Sequence, residues 1–162
     1  MYTKNIPSLS IIVPCYNEEE IFPICLKTLK AIIKKLVLKG KIKEDSYILF
    51  IDDCSKDLTW GLIKNLLRLI KILSRESNYL KIKVIKLLCL LGLSNVNTDI
   101  NISIDADLQD DVNCIEQMVE EYLKGNEIVY GVRNDRSSDS PFNKNICKFF
   151  LQINDFVWYY TG

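Results

Sequence analysis

Short β-rich apolar runs alternate along this chain with longer segments of helical periodicity, and this alternation limits the folds that the chain can adopt. The pattern predicts strands at 9–13, 47–51, 82–88, 100–104 and 127–132. It predicts helices at 21–39, 59–73 (capped by Asp57) and 112–124, and a last helix that opens at Ser140-Pro141. Such alternation is typical of a mostly parallel sheet flanked by helices, so the predicted fold class is α/β.

Composition restricts the chemistry of the chain. With 162 residues and 48% hydrophobic content it can bury one substantial core, so we expect residues 1–162 to form a single domain. Its 21 basic and 21 acidic residues cancel, which removes the global field that would draw it to nucleic acid. Because there is no histidine, Ser-His and Cys-His nucleophilic arrangements are excluded. Any catalysis or ligand binding must therefore use carboxylates, amides, lysines and arginines.

Cysteine usage and hydropathy indicate where the chain resides. Six cysteines lie far apart with no Cys-x-x-Cys pair, and we interpret them as reduced thiols of an intracellular protein. The N-terminus lacks the apolar stretch of a signal peptide, and the longest apolar run, at 87–93, is too short to cross a bilayer. We therefore expect a cytoplasmic chain without a transmembrane segment.

Polar clusters follow four of the predicted strands, namely PCYNEEE, DDCSKD, DADLQDD and RNDR. The carboxyl ends of parallel strands meet at one edge of a sheet, so the four clusters are expected to share one crevice. The alternative is that each cluster is a solvated loop with helix-capping acids. The densest stretch, ISIDADLQDD at 102–111, gathers four carboxylates, with Asp99 just upstream. Like charges this close oppose folding unless a cation or an array of hydrogen-bond donors compensates them.

Four motif stretches follow one another between Ser8 and the last predicted helix: SIIVPCYNEEE, ILFIDDCSKDLT, ISIDADLQD and IVYGVRNDR. Together they resemble glycosyltransferase family 2, in particular the branch that moves a sugar from a nucleotide diphosphate to a polyprenyl phosphate, such as dolichyl-phosphate mannose synthases and bactoprenol glucosyltransferases. The resemblance implies a GT-A type nucleotide-binding domain. It implies two partners, a UDP-glucose or GDP-mannose type donor and a lipid phosphate acceptor at the membrane surface.

The resemblance also implies a donor pocket, made of Pro14, Tyr16, Asn17, Glu18, Asp52 and Asp53. An aromatic ring supplies a face for the base, and carboxylates accept hydrogen bonds from base N–H groups and ribose hydroxyls. The alternative for Tyr16 is a packed surface aromatic. Arg133 and Arg136 resemble family residues near the donor phosphates, which a guanidinium can bind in bidentate fashion. For Arg136 an exposed side chain without a partner is the alternative.

Asp105, Asp107 and Gln109 resemble the metal-binding set of the family, with the two aspartates as the catalytic carboxylates. Alternation in DADLQ can point three oxygen ligands to one side, and oxygen ligands suit Mg²⁺ or Mn²⁺ bridging diphosphate oxygens. The implied reaction is an in-line attack by an acceptor phosphate oxygen on the anomeric carbon, with inversion. By this resemblance, the metal is the expected positive partner of the acidic stretch.

Three features depart from the family pattern. Cys54 stands where the family usually has glycine, and the segment between Lys86 and Asp105 is short and lacks the usual Arg-Asn-Gly stretch. The chain also stops at Gly162, before the region that supplies an acidic candidate base, so we expect a C-terminally truncated chain that transfers sugar poorly or not at all. An inactive remnant that only binds nucleotide is therefore an alternative function.

A receiver-like phosphorylation module is a further alternative, with Asp105 or Asp107 as the phosphoacceptor. The strand-helix unit that precedes the acidic pair in ILFIDD disfavours it. A receiver would take phosphate from acetyl phosphate, a remnant would bind nucleotide weakly or not at all, and an enzyme would release nucleoside diphosphate.

Overall fold

A computed structural model describes residues 6–73, 81–86, 96–109 and 111–129 of the chain. The strands are β1 (Leu9–Cys15), β2 (Tyr47–Asp52), β3 (Lys81–Lys86) and β4 (Ile100–Ser103). The helices are α1 (Phe22–Leu38), α2 (Thr59–Leu73) and α3 (Cys114–Lys124). These seven elements were predicted. The strand predicted at 127–132 is not formed over 127–129, and its other residues, like the last predicted helix, lie outside the described residues.

The four strands form one parallel sheet in the order β3-β2-β1-β4, which confirms the predicted α/β class. The chain runs outward from β1 through β2 to β3 and then returns to place β4 on the other side of β1. The carboxyl ends of β1 and β4 therefore flank a topological switch point, where ligands bind in open α/β sheets. Receiver modules have the order 2-1-3-4-5, so the strand order also disfavours the receiver interpretation.

Apolar side chains cover both faces of the sheet. On one face, Leu9, Ile11 and Val13 of β1 pack with residues of all three helices, including Leu29 of α1 and Ile115 of α3. The other face carries a smaller cluster, made of Ile12, Tyr47, Leu49 and Ile51 with Val96. Full burial of a Leu or Ile side chain stabilises by roughly 1.5–3 kcal/mol. Burial on both faces explains why β1 and β2 have nearly continuous apolar sequences rather than alternating ones.

The helix ends follow from local sequence. Helix α1 has Pro23 in its first turn, where a missing N–H costs nothing. Before α2, Asp57 Oδ1 accepts the N–H of Thr59 at 2.9 Å, which confirms the predicted cap. Helix α3 ends at Gly125, whose φ of 106° places it in the left-handed region that glycine tolerates. No helix within the described ranges is both long and apolar enough to cross a membrane.

An ion cluster joins α3 to α1 and to the loop after it. Glu116 of α3 contacts the ammonium groups of Lys35, Lys39 and Lys41, at 2.7 Å for Lys35 and Lys41. Hydrogen bonds from these three lysines hold the pKa of Glu116 well below its usual range. The cluster links α3, which follows the acidic loop after β4, to α1.

Candidate functional site

A cavity of about 260 Å³ opens beyond the carboxyl ends of β1, β2 and β4. It lies at the switch point of the sheet. Its lining consists of Pro14, Cys15, Tyr16, Glu18, Asp53, Asp105, Ala106 and Asp107. Six of these eight residues were predicted to form the site, all except Cys15 and Ala106. Three of the four predicted polar clusters therefore share one crevice, and the fourth, with Arg133 and Arg136, lies outside the described residues.

The β1 side of the cavity presents an aromatic ring. Strand β1 ends at the buried Cys15, and the next residue, Tyr16, has 50% of its surface exposed at the cavity. Asn17 follows with a φ of 57°, in the left-handed region that Asn tolerates better than most residues. This turn leaves the Tyr16 ring accessible to a planar ligand group such as a nucleobase.

Negative charge also converges at this cavity. Burial raises the pKa of Glu18, and the charges of Asp107, Asp105 and Asp57 raise it further. The acidic cluster expected after β4 therefore acts on Glu18 in the structure. Such a cluster favours a cation or a donor-rich ligand.

The acidic residues fit a metal ion that protein and substrate bind together. They do not fit a site in which protein side chains supply all the ligands. Over the described part of the chain, no three or more Asp, Glu, Cys or His side chains converge closely enough to hold an ion. Asp105 and Asp107 nevertheless place carboxylates at one side of an open cavity. Mg²⁺ is usually held by one or two carboxylates together with substrate phosphates, so the residues present fit a cation that a diphosphate would help to bind.

The third predicted metal ligand lies elsewhere. Strand β4 ends at Ser103, and the chain then turns, with Leu108 at a φ of 55°. Within that turn Asp107 Oδ1 accepts the N–H of Gln109 at 3.1 Å, while Gln109 is exposed and does not line the cavity. Strand alternation cannot align DADLQ because these residues are not in a strand.

The paired aspartates after β2 face different surroundings. Asp53 is exposed and lines the cavity, whereas Asp52 is fully buried and does not. Neither Asp52 carboxylate oxygen accepts a hydrogen bond from any residue that the structure describes. Asp52 pairs with Cys15 in the sheet register. Burial raises the pKa of the Cys15 thiol far above its usual range, and the neighbouring Cys25, Glu18 and Asp52 raise it further. Cys15 and Cys25 are free thiols, as expected.

Two other residues lie outside the cavity. Asp99 precedes β4, where its Oδ2 accepts the N–H and the hydroxyl of Ser8, both at 2.8 Å. The expectation that Asp99 joins the acidic cluster is wrong, because the length of β4 separates them. Asn17 lines a neighbouring cavity of about 520 Å³ with residues 18–21, Lys56 and Asp57. Glu19 and Thr59 were not predicted to have a role, and Asp57 was predicted only as a cap; all three form hydrogen bonds between the segments that follow β1 and β2.

Glu18→Gln is expected to raise thermal stability at pH 7. Because the folded chain raises the pKa of Glu18, ionisation of this group destabilises the fold as pH rises above the unfolded value of about 4.3. The neutral glutamine side chain does not ionise, so the variant should be more stable than the original chain at pH 7. Below about pH 4 the two chains should be equally stable. Thermal denaturation of both proteins from pH 3 to 8 measures it. A variant less stable than the original at pH 7 would contradict the described charge cluster.

Comparison with known proteins assigns the chain to a family. Residues 10–161 match the family model described as glycosyl transferase family 2, and the chain belongs to that family. Family membership and the parallel sheet together confirm the resemblance and the GT-A type α/β fold expected from it.

Curated relatives carry related names. The chain is 40% identical over 158 residues to the uncharacterized glycosyltransferase YkoT of Bacillus subtilis (strain 168), covering 91% of this chain and 44% of the relative. It is 33% identical over 150 residues to the prophage bactoprenol glucosyl transferase homolog of Escherichia coli (strain K12), covering 91% and 46%. The chain thus spans about half the length of the curated relatives it matches. Among solved structures, mannosyltransferase PcManGT from Pyrobaculum calidifontis, in complex with GDP-Man and Mn²⁺, shares 17% identity at a TM-score of 0.42, covering 64% of this chain and 28% of that one.

Proposed function

We propose that this chain carries the donor site of a glycosyltransferase that moves a sugar from a nucleotide diphosphate to a polyprenyl phosphate or similar lipid phosphate. The observation that carries the proposal is the cavity at the switch point, with the exposed Tyr16 ring near the carboxylates of Asp53, Asp105 and Asp107. A base requires an aromatic face, a ribose requires hydrogen-bond acceptors, and a metal-bound diphosphate requires anionic oxygen ligands for its metal.

Each part of the donor has a proposed contact. The base stacks on Tyr16, with Pro14 beside it, and the ribose hydroxyls donate to Asp53, the member of the aspartate pair that faces the cavity. Asp105 and Asp107 hold the diphosphate side of the site, sharing Mg²⁺ or Mn²⁺ with the diphosphate. When bound, the cation would stabilise the departing diphosphate. Arg133 and Arg136 are proposed to bind phosphate oxygens.

The acceptor is proposed to be a lipid phosphate at the membrane surface. The relative from Shigella phage SfX is named as a bactoprenol glucosyl transferase and the one from E. coli as a prophage homolog of it, which supports this class of acceptor. A phosphate oxygen is already anionic and requires no strong base for its attack on the anomeric carbon. In-line attack opposite the departing diphosphate inverts the configuration of that carbon.

Titration calorimetry with UDP and with GDP, in Mn²⁺ and in chelator, tests the donor site. One of the two nucleotides is expected to bind in Mn²⁺, and to bind at least about tenfold more weakly in chelator because the acidic cluster then repels the diphosphate. Equal affinity in both conditions would refute the metal assignment, and no binding of either nucleotide would refute the donor site.

An assay with radiolabelled UDP-glucose and GDP-mannose, using polyprenyl phosphate in detergent, tests transfer. Labelled lipid together with released nucleoside diphosphate would support the proposed reaction. Nucleotide binding without labelled lipid would support the alternative in which the chain binds nucleotide and does not transfer sugar.

A further inference from the structure

Two loops beside the cavity are bonded to each other by backbone and side-chain groups. The first loop, residues 16–21, follows β1, and the second, residues 53–58, follows β2. The ladder between the strands continues for one more bond, since the N–H of Asp53 donates to the carbonyl of Cys15 at 2.9 Å. Beyond that bond the loops have no sheet to hold them, and side chains join them instead.

Asn17 makes the first side-chain connection. Its N–H donates to Ser55 Oγ at 3.0 Å, and its Oδ1 accepts the N–H of Lys56 at 2.8 Å. The two bonds run in opposite directions between the same segments, so they fix both distance and orientation. They also hold Asn17 at its left-handed φ of 57°. The Asn17 amide oxygen thus faces the second loop, although the resemblance placed Asn17 in the donor pocket.

Glu19 makes the second connection, again in both directions. Its N–H donates to Asp57 Oδ2 at 3.1 Å, and its Oε2 accepts the N–H of Leu58 at 2.8 Å. The same Asp57 carboxylate accepts from Thr59 through Oδ1, so one side chain caps α2 and holds the first loop. Desolvation raises the pKa of Asp57, but the hydrogen bonds from Thr59 and Glu19 outweigh it and hold that pKa below its usual range.

Thr59 makes the third connection at the buried end of the loops. Its Oγ1 accepts the N–H of Glu18 at 2.8 Å, and its hydroxyl also bonds the Asp57 carboxylate. Thr59 is fully buried, so this hydroxyl connects the backbone of a cavity residue to the cap of α2 where water does not compete.

We propose that Asn17, Glu19, Asp57 and Thr59 form an interloop clamp that positions the donor-contacting residues. Tyr16 and Glu18 stand on the first loop and Asp53 on the second, and all three line the cavity. The clamp makes the two loops one unit, so the aromatic face for the base and the carboxylate for the ribose keep a fixed separation. The four clamp residues are positioning residues, and the inference rests on the proposed donor site.

Thr59→Val is the sharpest test, because valine has nearly the same shape and removes only the hydroxyl. Thr59→Ser keeps the hydroxyl and is the matched control. The loss of the two hydrogen bonds of this hydroxyl, with the Glu18 N–H and with the Asp57 carboxylate, is expected to weaken nucleotide binding about tenfold in Thr59→Val, with affinity in Thr59→Ser close to the original. Amide hydrogen exchange at residues 16–20 is expected to accelerate about tenfold in the valine variant alone.

Asn17→Gly and Asn17→Asp form a second pair. Glycine tolerates the left-handed backbone and removes the acceptor for the Lys56 N–H, whereas aspartate retains both features. Weaker nucleotide binding and faster exchange at residues 53–58 are expected for Asn17→Gly. Asn17→Asp adds a charge beside Glu18, so it is the control for exchange alone, which should stay close to that of the original chain. Calorimetry is done at a temperature at which all variants are folded, so that a general loss of stability is separated from mispositioning.

The outcomes separate the clamp from the function on which it rests. If Thr59→Val and Asn17→Gly lower the thermal midpoint but leave nucleotide affinity and loop exchange unchanged, the clamp is refuted and the donor site stands. If the original chain binds neither UDP nor GDP, yet both variants accelerate exchange in the opposite loop, the donor site is refuted and the coupling of the loops stands.

Discussion

Replacing Asp107 with asparagine is expected to weaken nucleotide binding in Mn²⁺ by about ten- to a hundredfold, since even outer-shell partners of metal ligands cost that much when lost. Asp107 lines the cavity, and its charge helps to raise the pKa of Glu18. Asparagine keeps an oxygen that can accept the N–H of Gln109 and loses only the anionic ligand. Removing one like charge should leave thermal stability unchanged or slightly higher. Calorimetry in Mn²⁺ and in chelator, with a thermal melt, measures both effects.

Asp111→Asn is the matched control for this substitution. Asp111 belongs to the same acidic stretch, is exposed, and accepts the N–H of Asn113 at 2.9 Å without lining the cavity. The nucleotide affinity of the Asp111→Asn variant should equal that of the original chain. Equal losses in the two variants would show that overall charge determines the affinity. A large fall in the thermal midpoint of Asp107→Asn would instead assign Asp107 a structural role.

The sequence was sufficient to predict where the site lies because two strong local signals agreed. Strand and helix periods placed seven elements correctly, and parallel strands bring their carboxyl ends to one edge of the sheet. The polar residues after β1, β2 and β4 therefore meet at one cavity. The order β3-β2-β1-β4 was not predictable, since periodicity within a strand carries no information about its neighbours.

Sequence reasoning did not anticipate where two residues of the acidic region lie, nor the bonds between the loops. Asp99 precedes β4 rather than following it, so closeness in sequence misled the prediction. Gln109 is directed by the turn at Leu108, which no alternation rule anticipates. The interloop clamp is long-range, since Glu18 and Thr59 are 41 positions apart, although the run of Ser, Asp and Thr in CSKDLT indicated side chains that bond to backbone.

The adjacent residues Asp52 and Asp53 are expected to respond to substitution in opposite ways. Successive side chains of a strand point to opposite faces, and Asp52 lies on the same face as Ile48 and Phe50, in the core beside Cys15. It is fully buried, and no described residue donates a hydrogen bond to its carboxylate. A buried polar group that has no hydrogen-bond partner costs roughly 1–3 kcal/mol. Asp52→Leu is therefore expected to raise the free energy of unfolding.

For Asp52→Leu we expect a gain of about 2 kcal/mol, measured by urea denaturation, with nucleotide affinity changed only slightly because Asp52 does not line the cavity. Asp53→Asn is the neighbouring control with the opposite result. Asp53 is exposed at the cavity, so its substitution should leave stability unchanged and weaken nucleotide binding about tenfold. Loss of stability in Asp52→Leu would show that the buried carboxylate has a partner within the fold. Loss of nucleotide binding with stability gained would instead mean that Asp52 itself contacts the donor, as the family resemblance implies.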